Sequence, residues 1–235
     1  MRILDTANGV RLYVSEQRAK GRGESVIAPQ RQIREATLTK LRILSEHSLT
    51  RAGQSLTALL EHPVRLTVTG ITCVAPGELP AVLAAADTDV VAGLLVQIGG
   101  ETRGQIIILF PRRTVLRMLR VLLGAQEEPR PFSEREQSAL QEVGNILASS
   151  FLSGLGDLLG KRLMSSPPDI HLDDLKALMG QVTANLGEHA SEILVVQALF
   201  EDPEQRIEGQ FFVLPEVASL EAMLHPAEAG GRLGV

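Results

Sequence analysis

A polar stripe with glutamate and asparagine offers the clearest chemistry in this sequence. Ser138, Glu142, Asn145 and Ser149 recur at steps of four and three residues, so on an α-helix they share one face. A carboxylate can pair with a cation on a partner, and a carboxamide can both donate and accept hydrogen bonds, which suits it to orient a water molecule. The spacing alone favours a solvated helix surface. The functional interpretation gains from Asn145 and the adjacent Gly144, because both residue types are poor choices in mid-helix unless something other than helix stability demands them.

The helix that carries this stripe is predicted within residues 132–160. Ser133 followed by Glu136 forms a capping box, so the helix is expected to begin there. Apolar residues then recur at three- and four-residue steps, which predicts a buried face made of Leu140, Val143, Leu147, Phe151, Leu155 and Leu158. Each polar position comes two residues before a member of this set or Gly144. Because two residues turn an α-helix by roughly 200°, the polar stripe is expected to face outward.

The order helix, strand, excursion, two strands and a proline-started helix occurs twice along the chain. The segment LLVQ at 94–97 matches LVVQ at 194–197, and GQIIILFP at 104–111 matches GQFFVLP at 209–215. Such an internal repeat predicts two pseudo-equivalent halves that share one sheet. We therefore predict an α/β fold of the α+β type, with a pseudo-twofold axis, a mostly antiparallel sheet and two long helices packed on one face. The long helices are expected to start near Gln32 and Ser133.

This organisation divides the chain into three parts. Residues 1–30 are expected to form an N-terminal appendage with a short strand at 11–14 and a basic loop. Residues 31–225 are expected to form the main domain, with halves at about 31–124 and 131–225. Residues 226–235 are predicted to be a flexible tail.

Composition narrows the classes of function. The 235 residues carry a net charge of −5, only 3% aromatic residues and no Trp, which argues against a nucleic-acid binder because such proteins use basic surfaces or stacking rings. The single cysteine, Cys73, excludes an intrachain disulfide and favours a cytoplasmic protein. No apolar stretch is long and uninterrupted enough to predict membrane insertion.

Residues 138–160, SALQEVGNILASSFLSGLGDLLG, resemble the active-site helix of the CheC/CheX/FliY family of chemotaxis phosphatases. That family carries an acidic residue or serine, then Glu four residues later and Asn three residues after that, which matches Ser138, Glu142 and Asn145. Residues 87–124 and 206–224 also resemble CheC segments, so the likeness covers roughly residues 36–224.

The resemblance implies hydrolysis of the aspartyl phosphate of a CheY-type response regulator. Glu142 would pair with the active-site lysine of the regulator, and Asn145 would enter its phosphorylation site and position the attacking water. Ser138 and Ser149 would lie on the partner-binding surface. The chain would need no metal or other cofactor of its own, because the divalent cation belongs to the regulator. The resemblance also allows the deamidase CheD as a partner, and a homodimer.

The first half departs from the family pattern. Alignment with the family's first long helix places Arg42, Glu46 and Leu49 at the three motif positions. A leucine cannot orient water, so we expect this first site to be degenerate, with Leu49 on the surface, and one working site in the second half.

Two alternatives remain open at this point. One is an adaptor with little or no catalysis that binds a response regulator or CheD, and the other is a flagellar-switch component like FliY, although no FliN-like module is visible in the sequence. Among other candidates, His171, Asp173 and Asp174 are more typical of a helix cap than of a metal site, and Cys73 is more typical of a core residue than of a nucleophile.

Overall fold

The computed structural model describes residues 2–5, 11–14, 35–84, 90–124, 131–186, 193–202 and 207–216. The helices are α1 (Glu35–Leu60), α2 (Leu79–Ala84), α3 (Arg112–Leu123), α4 (Glu134–Leu159) and α5 (Leu175–Leu186). The strands are β1 (Arg2–Asp5), β2 (Arg11–Val14), β3 (Arg65–Val74), β4 (Val90–Gly100), β5 (Gly104–Pro111), β6 (Leu163–Ser165), β7 (Asp169–Leu172), β8 (Ile193–Asp202) and β9 (Ile207–Pro215).

A seven-stranded antiparallel sheet joins the two halves of the chain. Its order is β3-β8-β9-β5-β4-β6, with β7 also paired to β4. The hairpins β4–β5 and β8–β9 occupy matching places in the two halves, and they meet at the centre because β5 pairs with β9. Each hairpin is flanked by strands of the opposite half, since β3 pairs with β8, and β6 and β7 pair with β4. Because each half pairs its strands with strands of the other half, the two halves share one sheet and one core. The predicted fold class is confirmed.

The long helices α1 and α4 lie antiparallel on one face of the sheet. The Ser150 hydroxyl donates to the Ser55 hydroxyl at 2.8 Å, and Gly154 faces Ser48, so the contact moves backwards along α1 as it moves forwards along α4. The main core lies between these helices and the sheet, and its aromatic rings include Phe151, whose centroid is 5.4 Å from that of Phe211. Full burial of a Leu or Phe side chain stabilises a fold by about 1.5–3 kcal/mol. The predicted packing of both long helices on one face is therefore what holds the sheet and the two halves together.

A smaller core lies on the opposite face of the sheet, under α2 and α5. Leu178 and Val182 of α5 are buried there. The buried Gln105 side chain on β5 donates through Nε2 to the Val182 carbonyl at 3.2 Å, which satisfies a polar group in an otherwise apolar layer. Both faces of the sheet are thus covered by helices. The polar stripe lies on the side of α4 that points away from the sheet.

The turn between β4 and β5 is tied to the end of α4 by Glu101. Its carboxylate accepts a hydrogen bond from Lys161 Nζ at 2.7 Å and another from the Arg162 backbone N–H at 3.0 Å. The hydrogen bond from Lys161, helped by the one from Arg162, holds the pKa of the Glu101 carboxyl below its ordinary value. Glu101 is exposed, so the contact orients the turn more than it stabilises the fold.

Most of the predicted elements are present, with one correction to a buried face. Leu158 of α4 is 45% exposed, whereas it was predicted to face inward. It lies in the last turn of α4, where the helix extends past the surface it packs on. The basic loop near residues 18–23, the helix expected after Pro215 and the tail at 226–235 lie outside the described residues, so the predicted domain boundaries stay predictions. None of the helices in the described ranges is both long and apolar enough to span a membrane.

Candidate functional site

Helix α4 begins and ends at residues whose types specify those positions. The Ser133 N–H donates to Glu136 Oε2 at 2.9 Å, and the Glu136 N–H donates back to Ser133 Oγ at 3.4 Å. The predicted capping box is therefore present. Gly160 follows the last turn with a φ of 62°, a left-handed conformation that glycine adopts without strain.

The polar stripe on α4 faces outward, as its spacing predicts. Ser138, Glu142 and Ser149 are exposed, and Asn145 is half-buried. Both serine hydroxyls donate to backbone carbonyls of their own helix, at 2.9 Å for Ser138 and 3.3 Å for Ser149. Their oxygens can still accept hydrogen bonds from a partner.

The side chains of Glu142 and Asn145 make no hydrogen bond or ion pair to another residue in the part of the chain that the structure describes. Because they are three residues apart, their side chains are neighbours on the helix surface. A half-buried amide has fewer rotamers to lose on binding than a fully exposed one, so Asn145 is partly ordered in advance. Together the pair presents an anion that can hold a cation, beside an amide that can orient water. Their assignment as catalytic residues remains a prediction.

Gly144 lets α4 approach the sheet closely beneath this pair. A Cβ atom at this position would lie 3.0 Å from Cδ1 of Leu94, a fully buried residue on β4. Glycine costs about 1 kcal/mol of helix stability relative to alanine, and the close approach to Leu94 is the reason for that cost. The sequence analysis inferred that Gly144 serves something other than helix stability. The structure shows that it serves close packing of α4 on Leu94.

The predicted first site is not assembled. Arg42 and Glu46 form an ion pair with each other at 2.8 Å on the surface of α1. Leu49 has no exposed surface and lies in the main core, so the prediction that it is a surface residue is wrong. Arg42, Glu46 and Leu49 cannot together form a counterpart of the α4 stripe.

The matching of α1 with α4 explains this error. The two helices have the same length, 26 residues, so Glu35–Leu60 can be matched end to end with Glu134–Leu159. At this match most buried positions of one helix coincide with buried positions of the other. Leu49 then corresponds to the buried Ala148, whereas the likeness to the family had suggested Asn145.

The outward positions of α1 that correspond to Ser138, Glu142 and Asn145 are therefore Thr39, Ile43 and Glu46. All three are exposed, and Ile43 is 61% exposed. Sequence reasoning missed this set, although the pattern of buried positions along α1 and α4 would have revealed it.

The other candidates take structural roles. Asp174 Oδ1 accepts from the Ala177 N–H at 2.9 Å, so it caps α5 as the helix-cap interpretation predicts. His171 Nε2 lies 2.8 Å from Gln181 Oε1, and Asp173 pairs with Arg112 at 2.8 Å. Cys73 is half-buried on β3. Within the described ranges, no group of three or more His, Cys, Asp and Glu side chains is arranged to hold a metal ion.

Comparison with known sequences shows that the chain is similar to CheC-like proteins. The profile of the CheC-like family matches residues 136–172, which include Glu142 and Asn145. The chain is 27% identical over 198 residues to the CheY-P phosphatase CheC of Bacillus subtilis, covering 81% of this chain and 93% of that protein. It is 25% identical over 186 residues to CheC1 of Halobacterium salinarum, covering 77% of this chain and 91% of that protein.

Solved structures share the fold at low sequence identity. FliY of Thermotoga maritima matches with a TM-score of 0.66 and 16% identity, over 83% of this chain and 96% of that one. The FliM middle domain of H. pylori matches with a TM-score of 0.56 and 13% identity, over 82% of this chain and 98% of that one. The duplicated antiparallel sheet with two long helices is thus found in both.

Proposed function

Since the chain belongs to the CheC/CheX/FliY family, we propose that it hydrolyses the aspartyl phosphate of a CheY-type response regulator. The observation that carries this proposal is the pair Glu142 and Asn145, which faces outward from α4 within residues matched by the family profile. The name of the Bacillus relative, CheY-P phosphatase CheC, supports the choice of substrate.

Glu142 supplies the docking contact in this proposal. Its exposed carboxylate pairs with the active-site lysine of the regulator, and the approaching surfaces exclude water from the pair. A charge pair at a protein–protein interface sets orientation and association rate as much as affinity. Ser138 and Ser149 border Glu142 and Asn145 along the same stripe and accept hydrogen bonds from the regulator.

Asn145 supplies the positioning step. Its carboxamide enters the phosphorylation site and holds a water molecule in line with the bond between phosphorus and the aspartyl oxygen. The water oxygen attacks phosphorus, the bond to the aspartyl oxygen breaks, and its electron pair remains on the regulator's carboxylate. Inorganic phosphate leaves, and the protons of the water pass to the phosphate and to solvent.

Little covalent work is needed from the catalyst in such a reaction, so positioning and charge stabilisation account for most of the rate gain. The divalent cation that neutralises the phosphoryl oxygens belongs to the regulator in this proposal. On α1, the corresponding residues Thr39, Ile43 and Glu46 include no carboxamide, and the Glu46 carboxylate is paired with Arg42. One site per chain therefore acts, and it lies in the second half.

A phosphate-release assay with CheY of Bacillus subtilis, charged by acetyl phosphate and Mg²⁺, tests the proposal. Asn145→Ala is expected to lower kcat by about a hundredfold, because the water loses its orienting amide. Thr50→Ala removes an exposed polar side chain on α1, outside the proposed site, and serves as the control, with kcat within about twofold of the parent. Retention of more than half of the parent rate by Asn145→Ala contradicts the assignment.

A binding protein without turnover is the second candidate. It is favoured by the outer face of α1, where the position that corresponds to Glu142 holds Ile43, an apolar residue that is 61% exposed. Binding to CheY charged with Mg²⁺ and beryllium fluoride, without any phosphate release from phosphorylated CheY, identifies this case. CheD as a partner, a homodimer and a cytoplasmic location remain predictions, and co-purification with CheD together with light scattering tests the first two.

A further inference from the structure

We propose that Gln141 is a positioning residue for regulator binding, because it holds residues 166–168 as a rigid wall beside Asn145. We call these residues the proline wall, since they are Ser166, Pro167 and Pro168. The inference rests on the proposed function and adds to it a second part of the regulator-binding surface, one that lies outside the α4 stripe.

The contact between Gln141 and the proline wall is direct. Gln141 Nε2 donates a hydrogen bond to the Pro168 carbonyl at 3.2 Å, across a sequence separation of 27 residues. Gln141 is half-buried, Pro168 is buried and Pro167 is exposed. Asn145 comes four residues after Gln141, so the two side chains are neighbours on one flank of α4. The wall therefore stands on the same flank of α4 as Asn145.

The start of the wall is fixed to the sheet. The Ser166 N–H donates to the Gln97 carbonyl, and the Gln97 N–H donates to Ser166 Oγ, both at 2.9 Å. The next two residues are prolines, whose rings restrict φ and which have no N–H to donate. The far end runs directly into β7, whose Asp169 pairs with Leu95 of β4. Between these two attachments to the sheet, the hydrogen bond from Gln141 ties the Pro168 carbonyl to α4.

A stiff, pre-positioned surface binds with little loss of conformational entropy. In this proposal a regulator whose phosphorylation site receives Asn145 also contacts the exposed Pro167, which lies on the same flank of α4. Without the hydrogen bond from Gln141 the wall is still attached to the sheet through β6 and β7, but it is no longer tied to α4. The wall then fluctuates more, and its contact with the regulator weakens. Loss of this hydrogen bond leaves Glu142 and Asn145 intact, so binding is expected to suffer while the chemical step does not.

The test compares two glutamine-to-methionine changes in α4. Gln141→Met keeps the length of the side chain and removes the donor, and Gln137→Met does the same one turn earlier, where Gln137 Nε2 donates to the Phe132 carbonyl at 3.0 Å. With phosphorylated Bacillus subtilis CheY, Gln141→Met is expected to raise KM about fivefold, the worth of one net hydrogen bond, with kcat within twofold. Gln137→Met is expected to change neither. A merely structural role for Gln141 would lower the folded fraction, and hence kcat, without moving KM.

Two further measurements separate the possible failures. The Kd for CheY charged with Mg²⁺ and beryllium fluoride is expected to rise about fivefold in Gln141→Met, in parallel with KM. Hydrogen exchange is expected to quicken in peptides covering residues 163–172 in Gln141→Met and not in Gln137→Met. An unchanged Kd, or unchanged exchange in that region, overturns the role of Gln141 even where the parent protein hydrolyses phosphorylated CheY. Binding by the parent without hydrolysis overturns the proposed function alone, and absence of binding overturns both.

Discussion

Replacing Gly144 by alanine measures how closely α4 is pressed against the sheet below Glu142 and Asn145. An alanine Cβ would lie 3.0 Å from Leu94 Cδ1 and 3.5 Å from its Cδ2 and Cγ. Leu94 has no exposed surface, so its methyl groups have little room to retreat. Either the leucine takes a poorer rotamer or α4 moves outward by a few tenths of an ångström.

Two opposing effects determine the magnitude. Alanine gains about 1 kcal/mol over glycine in a helix interior, whereas inserting a methyl group into a packed core costs about 1–3 kcal/mol. We expect a net loss of about 1 kcal/mol in the free energy of unfolding for Gly144→Ala. Gly180, within α5, is the matched control, because a Cβ there would meet nothing within 4 Å. Gly180→Ala is expected to stabilise by about 1 kcal/mol.

Urea and thermal unfolding of both variants provide the measurement. The expected difference of about 2 kcal/mol corresponds to roughly 4–8 °C in Tm for a chain of this length. Truncation of the neighbour in the double variant Gly144→Ala/Leu94→Ala should recover part of the loss, with a coupling energy of about 0.5 kcal/mol or more. If Gly144→Ala stabilises the protein as much as Gly180→Ala does, the close approach of α4 to Leu94 is not what the glycine serves.

Two further predictions concern residues outside the α4 stripe. Leu49→Ala is expected to lower the free energy of unfolding by about 2–5 kcal/mol, because it truncates a fully buried side chain. The control Thr50→Ala should change it by no more than about 0.5 kcal/mol. Equal, small effects of both variants in urea unfolding would contradict the placement of α1. Glu101 has a folded pKa below its ordinary value of 4.5, so its contribution to stability is present above that value and is lost as pH falls through the lower folded pKa. Glu101→Gln should therefore flatten the acid side of a stability profile measured from pH 7 to 3, and an unchanged slope below pH 4.5 would rule out the contact with Lys161 and Arg162 as its cause.

The predictions that hold best rest on signals between residues close in sequence. Ser133, Glu136 and Gly160 specify the ends of α4 through hydrogen bonds and backbone conformations that involve only a few neighbouring residues. The matching segments at 94–97 and 194–197, and at 104–111 and 209–215, likewise predict corresponding strands in the two halves. The repeated order of elements then predicts a duplicated antiparallel fold, because each half must bury the same kind of face.

The predictions that fail depend on contacts between distant parts of the chain. Local likeness placed Leu49 opposite Asn145, but the position of α1 is decided by its packing against α4 and the sheet, where Ser55 meets Ser150. Matching the helices end to end pairs Leu49 with the buried Ala148, three residues after Asn145. A shift of three residues turns a helix by about 300°, which is enough to exchange a surface residue for a core residue. The link from Gln141 to Pro168 was equally invisible, because the bond spans 27 residues and neither partner belongs to a recognisable spacing.

The sequence by itself determined which elements form, where α4 starts and stops, and that Glu142 and Asn145 share an outward face. Those properties follow from hydrogen bonds and side-chain periodicity within one element. Only the tertiary structure decided which strands of one half pair with the other, which residues of α1 face outward, and what stands beside Asn145. These depend on how whole surfaces fit together, and the free energy of that fit is a property of distant residues in contact.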